Sequence, residues 1–257
     1  MKDWTQHVHQ AQTFQDELLV DSHNHLDRMT DFFLPGEGHS AEGLIAYMDY
    51  LGIDRICAFS YAGIGSDFAY GNDSVAEAAR RYPGRIIGYV SLNLNYPETW
   101  LPELERGEAR GMLGIKLHPS WQGFADPSAV DIRPIMDWAN QKHRVVINHW
   151  WGPEAYVEKL AREFPQAVMI HGHTAYPHLA AKLPNFYVNT CLTPEYGGLE
   201  GLVRAAGAEK VVWGSDMPDC DVPLGLGPIL FAPFSDDEKR AILGRNMQRI
   251  LEDCGMV

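Results

Sequence analysis

The chain has 257 residues, 46% of them hydrophobic and 21% charged, with 21 Lys+Arg against 34 Asp+Glu and a formal net charge of −13. That composition suits a packed core and argues against disorder. The acidic balance speaks against nucleic acid or an anionic membrane surface as partner, since both need a basic face. The four cysteines, Cys57, Cys191, Cys220 and Cys254, are scattered without a C-x-x-C pair, as expected of free thiols in a reducing compartment. The start of the chain is polar and lacks a signal-peptide core, and no run approaches the ~20 apolar residues of a membrane helix. A soluble, cytoplasmic protein is the expectation.

Residues 3–18 read as a short leading helix. From there to the C-terminus, short apolar runs alternate with longer amphipathic ones, the rhythm of repeated β-α units around a parallel sheet. The apolar runs are LLVDSHNH (18–25), RICAFSY (55–61), RIIGYVSLN (85–93), GMLGIKLHP (111–119), RVVINHW (144–150), AVMIHGH (167–173), NFYVNTC (185–191) and KVVWGSD (210–216). Between them, SAEGLIAYMDYLG (40–52) opens on a Ser40 cap and NDSVAEAARRYPG (72–84) stops at Pro-Gly. VEKLAREFP (157–165) and SDDEKRAILGRNMQRILED (235–253) are also helical. Eight strands alternating with helices in about 250 residues is the count and size of a (β/α)8 TIM barrel. The rival, an open doubly wound sheet, lacks its G-x-G-x-x-G after the first strand. No Ser- or Gly-rich linker divides the chain, so residues 1–257 read as a single barrel domain of the α/β class.

Active sites of such barrels lie at the C-terminal ends of the strands. Those positions hold His25, Ser60, Asn93, His118, His149, His173, Cys191 and Asp216, so histidine takes four of the eight ends although the chain has only 11. In a strand, residues two apart share a face, which puts Asp21, His23 and His25 on one side. By the same alternation His149 continues the column of Val145 and Ile147, and Asp216 that of Val212 and Gly214. Lys116 and His118 point together, away from Ile115 and Leu117. His171 and His173 share a face in the sixth run, and His173 is nearer the mouth. Two imidazoles from strand one, a third from strand five and a carboxylate from strand eight make an N3O set suited to Zn2+, with Mn2+ and Fe2+ as alternatives. A metal there lowers the pKa of bound water towards ~7. His173 beside it is the candidate general acid/base.

These residues, with GIKLHPSWQGF (114–124), VVWGSDMP (211–218) and GRNMQRIL (244–251), resemble the amidohydrolase superfamily. More closely, the chain is similar to its amidohydrolase 2 branch, the hydrolases and decarboxylases related to aminocarboxymuconate-semialdehyde decarboxylase, over residues 19–252. The resemblance implies that His23, His25, His149 and Asp216 bind one divalent metal, that His173 is catalytic, and that Asp216 also takes a proton in hydrolysis. Other branches carry a carbamylated lysine on strand four that bridges two metals. The KLHP context of Lys116 is that of the mononuclear branch. Lys116, His118, His171, Arg28, Tyr61, Trp121 and Trp150 are candidate substrate or supporting contacts, the aromatics by stacking and Arg28 by holding a carboxylate. Trp151 follows Trp150 directly, and at least two of Trp121, Trp150 and Trp151 are expected to be loop packing against the barrel rim. The expected function is metal-dependent hydrolysis of a small carboxylate, ester, lactone or amide. The alternative is non-oxidative decarboxylation of an aromatic or muconate-like acid. A barrel that binds without turnover is the third class, and the intact ligand set argues against it. The expected partner is a small-molecule substrate, and the acidic surface permits a homodimer.

Overall fold

The computed structural model describes residues 2–6, 14, 16–27, 39–191, 193 and 195–257. Eight strands form one sheet in sequence order: β1 (Val20–Leu26), β2 (Arg55–Ser60), β3 (Ile86–Ser91), β4 (Gly114–Leu117), β5 (Val145–Asn148), β6 (Val168–His171), β7 (Phe186–Asn189) and β8 (Val211–Val212). Every consecutive pair is parallel. The ring closes where the backbone beyond β8 meets β1. Ser22 N donates to Trp213 O at 3.0 Å, Asp216 N to His23 O at 3.0 Å and His25 N to Met217 O at 2.7 Å. This is the (β/α)8 barrel, and all eight expected strands are present.

Strand residues facing outward, such as Ile56, Ile115, Val146 and Met169, pack beneath the helices in one cluster. Those facing inward, among them Phe59, Tyr89, Ile147, Ile170 and Val212, fill the barrel itself. The helices meet the outer layer through i, i+3, i+4 stripes. The helix Glu154–Glu163 buries Val157, Leu160 and Ala161, and Gly198–Ala206 buries Leu199, Leu202, Val203 and Ala206. Ser40 caps the helix Ala41–Leu51 by accepting from Gly43 N, as expected. The helix expected over 72–84 runs Phe68–Arg81 instead. Asn72 lies inside it, its buried side chain donating to Ser91 O and Glu103 Oε1 and accepting from Ser91 N. The helix stops before Tyr82 because the residue ahead of Pro83 avoids the helical region.

The C-terminal helical run begins with a capping box between Ser235 and Glu238 and is broken by a π-turn, Ala241–Arg245, before Asn246–Asp253. The wider turn frees a carbonyl. Ile242 O accepts Trp213 N at 3.0 Å, tying the run to the backbone just past β8. Gly244 makes the approach possible, since a Cβ there would lie 2.2 Å from Leu18 O. Met247, Ile250, Leu251 and Cys254 join the inner cluster.

The expected leading helix falls largely on residues 7–13 and 15, outside the described residues. Its described flanks are turn, bend and coil apart from Gln6. Among the described residues no helix is long and apolar enough to cross a membrane.

Candidate active site

The first strand does not alternate simply. Asp21 pairs with Ile56 and Asn24 with Ala58, so an extra residue is accommodated between them as a bulge. Asp21 therefore shares the outward face of Asn24, not the face of the histidines, which corrects the alternation. His23 and His25 both turn inward against Phe59, with ring centroids 5.0 and 4.6 Å from it. Asp21 braces the seam: its Oδ1 accepts His23 N at 3.2 Å and Ser215 N at 3.0 Å. Burial pushes its carboxyl up to about 7.

The Nε2 atoms of His23 and His25 converge on one oxygen, Asp216 Oδ1, at 3.3 and 3.1 Å. Asp216 reaches it from a left-handed backbone conformation, φ 64°, one that Asp tolerates better than most residues. Burial lowers both imidazole pKa values, that of His25 to about 4, so the rings are neutral at pH 7. Burial works to raise Asp216, but His23 and His25 outweigh it and hold the carboxyl well below the usual range. The two ring nitrogens lie 3.3 and 3.1 Å from one carboxylate oxygen, so three donor groups that each have a lone pair to offer meet in one place. A divalent cation fits between them, and His23, His25 and Asp216 form a set of donors close enough to share one.

His149 stands outside that set of three. Its Nδ1 lies 2.9 Å from His173 Nε2, and its ring stacks on His118 at 3.9 Å. His173 Nδ1 lies 3.3 Å from Cys191 O, and an N–H there donates to the carbonyl. Burial lowers the pKa of His173, with Asp216 opposing. His173, Cys191 and Asp216 form a second close group. Cys191 stood among the strand ends in the sequence, yet nothing there gave it a role.

Alternation also misled at the sixth strand. Val168 and Ile170 face inward, so His171 points outward, its ring 5.0 Å from Tyr176. The strand ends at His171, and Gly172 then takes the inward place, where a Cβ would sit 2.9 Å from His23 Cε1. The chain bends there and delivers His173 to the pocket, 5.4 Å ring to ring from His23.

Lys116 is fully buried inside the barrel, its Nζ 3.1 Å from His23 Nε2 and 3.8 Å from the centre of Phe59. Burial draws its ammonium down to about 7, with Asp216 opposing. Phe59, an inward residue of β2 with no polar atom to mark it, is thus the floor for Lys116 and both strand-one imidazoles. His118 caps the turn Pro119–Gln122, accepting from Trp121 N at 3.4 Å. Tyr61 lies flat on His25, centroids 3.9 Å apart and planes within 2°, and Trp121, half exposed, lies over Tyr61 at 6.0 Å. Trp150 packs beside Tyr176 at 5.5 Å. Trp151 is fully buried, donating to Ile170 O at 3.2 Å, and belongs to the core. Arg28 lies outside the described residues.

An eight-stranded parallel barrel sets the strand-one imidazoles of His23 and His25 against the carboxylate of Asp216, which follows β8, and the three could hold a metal ion. The amidohydrolase family model matches residues 20–252, and the chain belongs to that family. No curated protein matches the sequence. Among solved structures, 2,6-dihydroxybenzoate decarboxylase from Rhizobium superposes with a TM-score of 0.71 at 15% identity, covering 92% of this chain and 99% of that one. 5-Carboxyvanillate decarboxylase from Novosphingobium aromaticivorans, complexed with manganese and 4-hydroxy-3-methoxy-5-nitrobenzoic acid, has a TM-score of 0.71 at 16% identity, covering 93% and 97%. 4-Oxalomesaconate hydratase from Rhodopseudomonas palustris has a TM-score of 0.67 at 17% identity, again covering 93% and 97%. At these identities the likeness is one of fold.

Proposed function

We propose that the protein is a metal-dependent carboxy-lyase that removes CO2 without oxidation from a planar aromatic or muconate-like acid. The observation that carries this reading is the flat aromatic wall beside the cage, in which Tyr61 lies parallel to His25 and the half-exposed Trp121 extends the wall outward. A planar ring is the shape such a wall accepts. The decarboxylases of similar fold lend further support, and one of them is complexed with manganese. The hydrolytic reading suggested by the sequence is the less supported of the two, and Mn2+ stands beside Zn2+ as the proposed ion.

His23, His25 and Asp216 hold the ion, with His149 as the proposed fourth donor, and the ion supplies positive charge that orients the acid's oxygens. Across the pocket His173 Nε2, which lies 2.9 Å from His149 Nδ1, is the proposed atom that takes up a proton and delivers it to the reacting carbon. As it protonates the ring carbon bearing the carboxylate, the bond to CO2 breaks and its electron pair returns to the ring. The bond between Nδ1–H and the Cys191 carbonyl fixes the tautomer, leaving Nε2 to carry and regain that proton. Lys116, inside the barrel against His23, adds positive charge beneath an anionic substrate.

The deciding experiment offers the metal-loaded protein a panel of hydroxybenzoates and muconates, measuring CO2, and a panel of esters, lactones and amides, measuring hydrolysis. CO2 release from the first panel is expected. Hydrolysis alone would restore the other reading.

A further inference from the structure

His173, Cys191 and Asp216 follow the ends of β6, β7 and β8, and their donor atoms lie within 4.8 Å of one another. The group shares only its carboxylate with the His23, His25 and Asp216 set, and a carboxylate has two oxygens to divide between two ions. Cys191 is fully buried. Its backbone N–H is pinned to Asn189 Oδ1 at 2.7 Å, and its carbonyl lies against His173 Nδ1 at 3.3 Å, so strand end and imidazole are held in one frame. With Nδ1–H on that carbonyl, the lone pair of His173 is on Nε2, the arrangement found in metal-ligating histidines.

We propose that His173, Cys191 and Asp216 form a second metal site, selective for thiophilic divalent ions such as Zn2+, Co2+ and Cd2+ over Mn2+ and Mg2+. A thiolate is a soft ligand that binds the former group and contributes little to the latter. Binding there exchanges the S–H bond of Cys191 for a sulfur–metal bond and releases the thiol proton to solvent, with no change of oxidation state. His173 Nε2 gives up its contact with His149 Nδ1, now 2.9 Å, to become a ligand. A ligated His173 has no nitrogen left for proton transfer. Filling this site therefore silences the decarboxylation proposed above, whereas Mn2+ in the first cage leaves it running. The inference depends on the first cage only through the shared Asp216.

The test is a titration of the metal-free full-length protein with Co2+, following bound equivalents and the thiolate-to-cobalt absorption in the near ultraviolet. The wild type is expected to take two equivalents, with that absorption, and only one of Mn2+. Cys191→Ser should take one equivalent of Co2+ without the absorption, and His173→Ala should also lose one equivalent. Cys220→Ser, which removes the thiol four residues beyond Asp216, should keep both equivalents and the absorption. A single equivalent with no thiolate absorption in the wild type overturns the second site and leaves the first cage standing. Absorption that persists in Cys191→Ser, or vanishes in Cys220→Ser, overturns it as well, and the Cys220 variant decides even if the Cys191 variant does not fold. Failure to bind any metal removes both sites.

Discussion

The Nδ1 of His149 lies 2.9 Å from the Nε2 of His173, so two imidazoles given separate tasks by the sequence share one hydrogen bond. One ring donates and the other accepts, and the pair spans the pocket opposite His23. His173→Ala is expected to keep one equivalent of metal at the first cage while CO2 release falls by about 100-fold or more, the usual worth of a general acid. His149→Ala should lower metal affinity by at least about tenfold and activity with it. Metal analysis of the two variants beside their turnover checks both. Normal turnover in His173→Ala would remove that residue from the proton path.

Gly172 offers a test of the cage that does not touch a ligand. A methyl group there would start 2.9 Å from His23 Cε1, so the ring or the backbone around it must shift. Gly172→Ala is expected to cost about 1–3 kcal/mol, as overpacking does, and to weaken metal binding by tenfold or more. Calorimetric titration with Mn2+ and a melting curve measure the two effects. Unchanged affinity would mean that His23 does not hold the ion.

Trp121 carries the outer part of the aromatic wall and is half exposed, so its removal should cost substrate more than fold. A stacking contact of about 0.5–1.5 kcal/mol predicts that Trp121→Ala raises KM for an aromatic acid about two- to tenfold with kcat little changed. Steady-state kinetics on the best acid of the panel decides. An unchanged KM would place the substrate elsewhere in the mouth.

Far from the site, Glu17 gives a pH dependence of stability. Burial works to raise its carboxyl pKa, but hydrogen bonds from Arg240 and Lys2 outweigh this and hold it below the ordinary value. A depressed carboxyl pKa contributes stability that is fully present above the unfolded value, about 4.3, and is lost as pH falls through the folded value. Glu17→Gln should lower stability by about 1 kcal/mol near pH 7 and flatten the loss between roughly pH 4.5 and 3. Urea unfolding of both proteins at stepped pH values shows it. Parallel curves would exclude the ion pair as a source of acid sensitivity.

The strands were legible because parallel barrel strands are apolar runs too short to be helices, and the site because histidine gathered at their ends. What misled was strict alternation. A bulge between Asp21 and Asn24 changes the face on which Asp21 lies, and the bend at Gly172 separates His171 from His173, neither of which periodicity can express. Phe59 carries no chemical mark in the sequence, yet it floors the site. Cys191 lies in the sequence 18 residues beyond His173, and only the ring of strands sets them side by side.

The closure of the barrel has a consequence for the life of the chain. His25 and Asp216 are 191 residues apart, and the backbone bonds that seal the last strand to the first are the same ones that bring them together. No nascent chain still short of Asp216 possesses all three donors, so an ion bound at the proposed cage would be taken up only after that residue has joined the first strand. An ion held by the proposed cage would staple that seam, and by mass action it would stabilise the closed barrel by about 2.7 kcal/mol at a hundredfold excess over its Kd. Removing such an ion with a chelator would therefore be expected to loosen β1 from the backbone beyond β8 first.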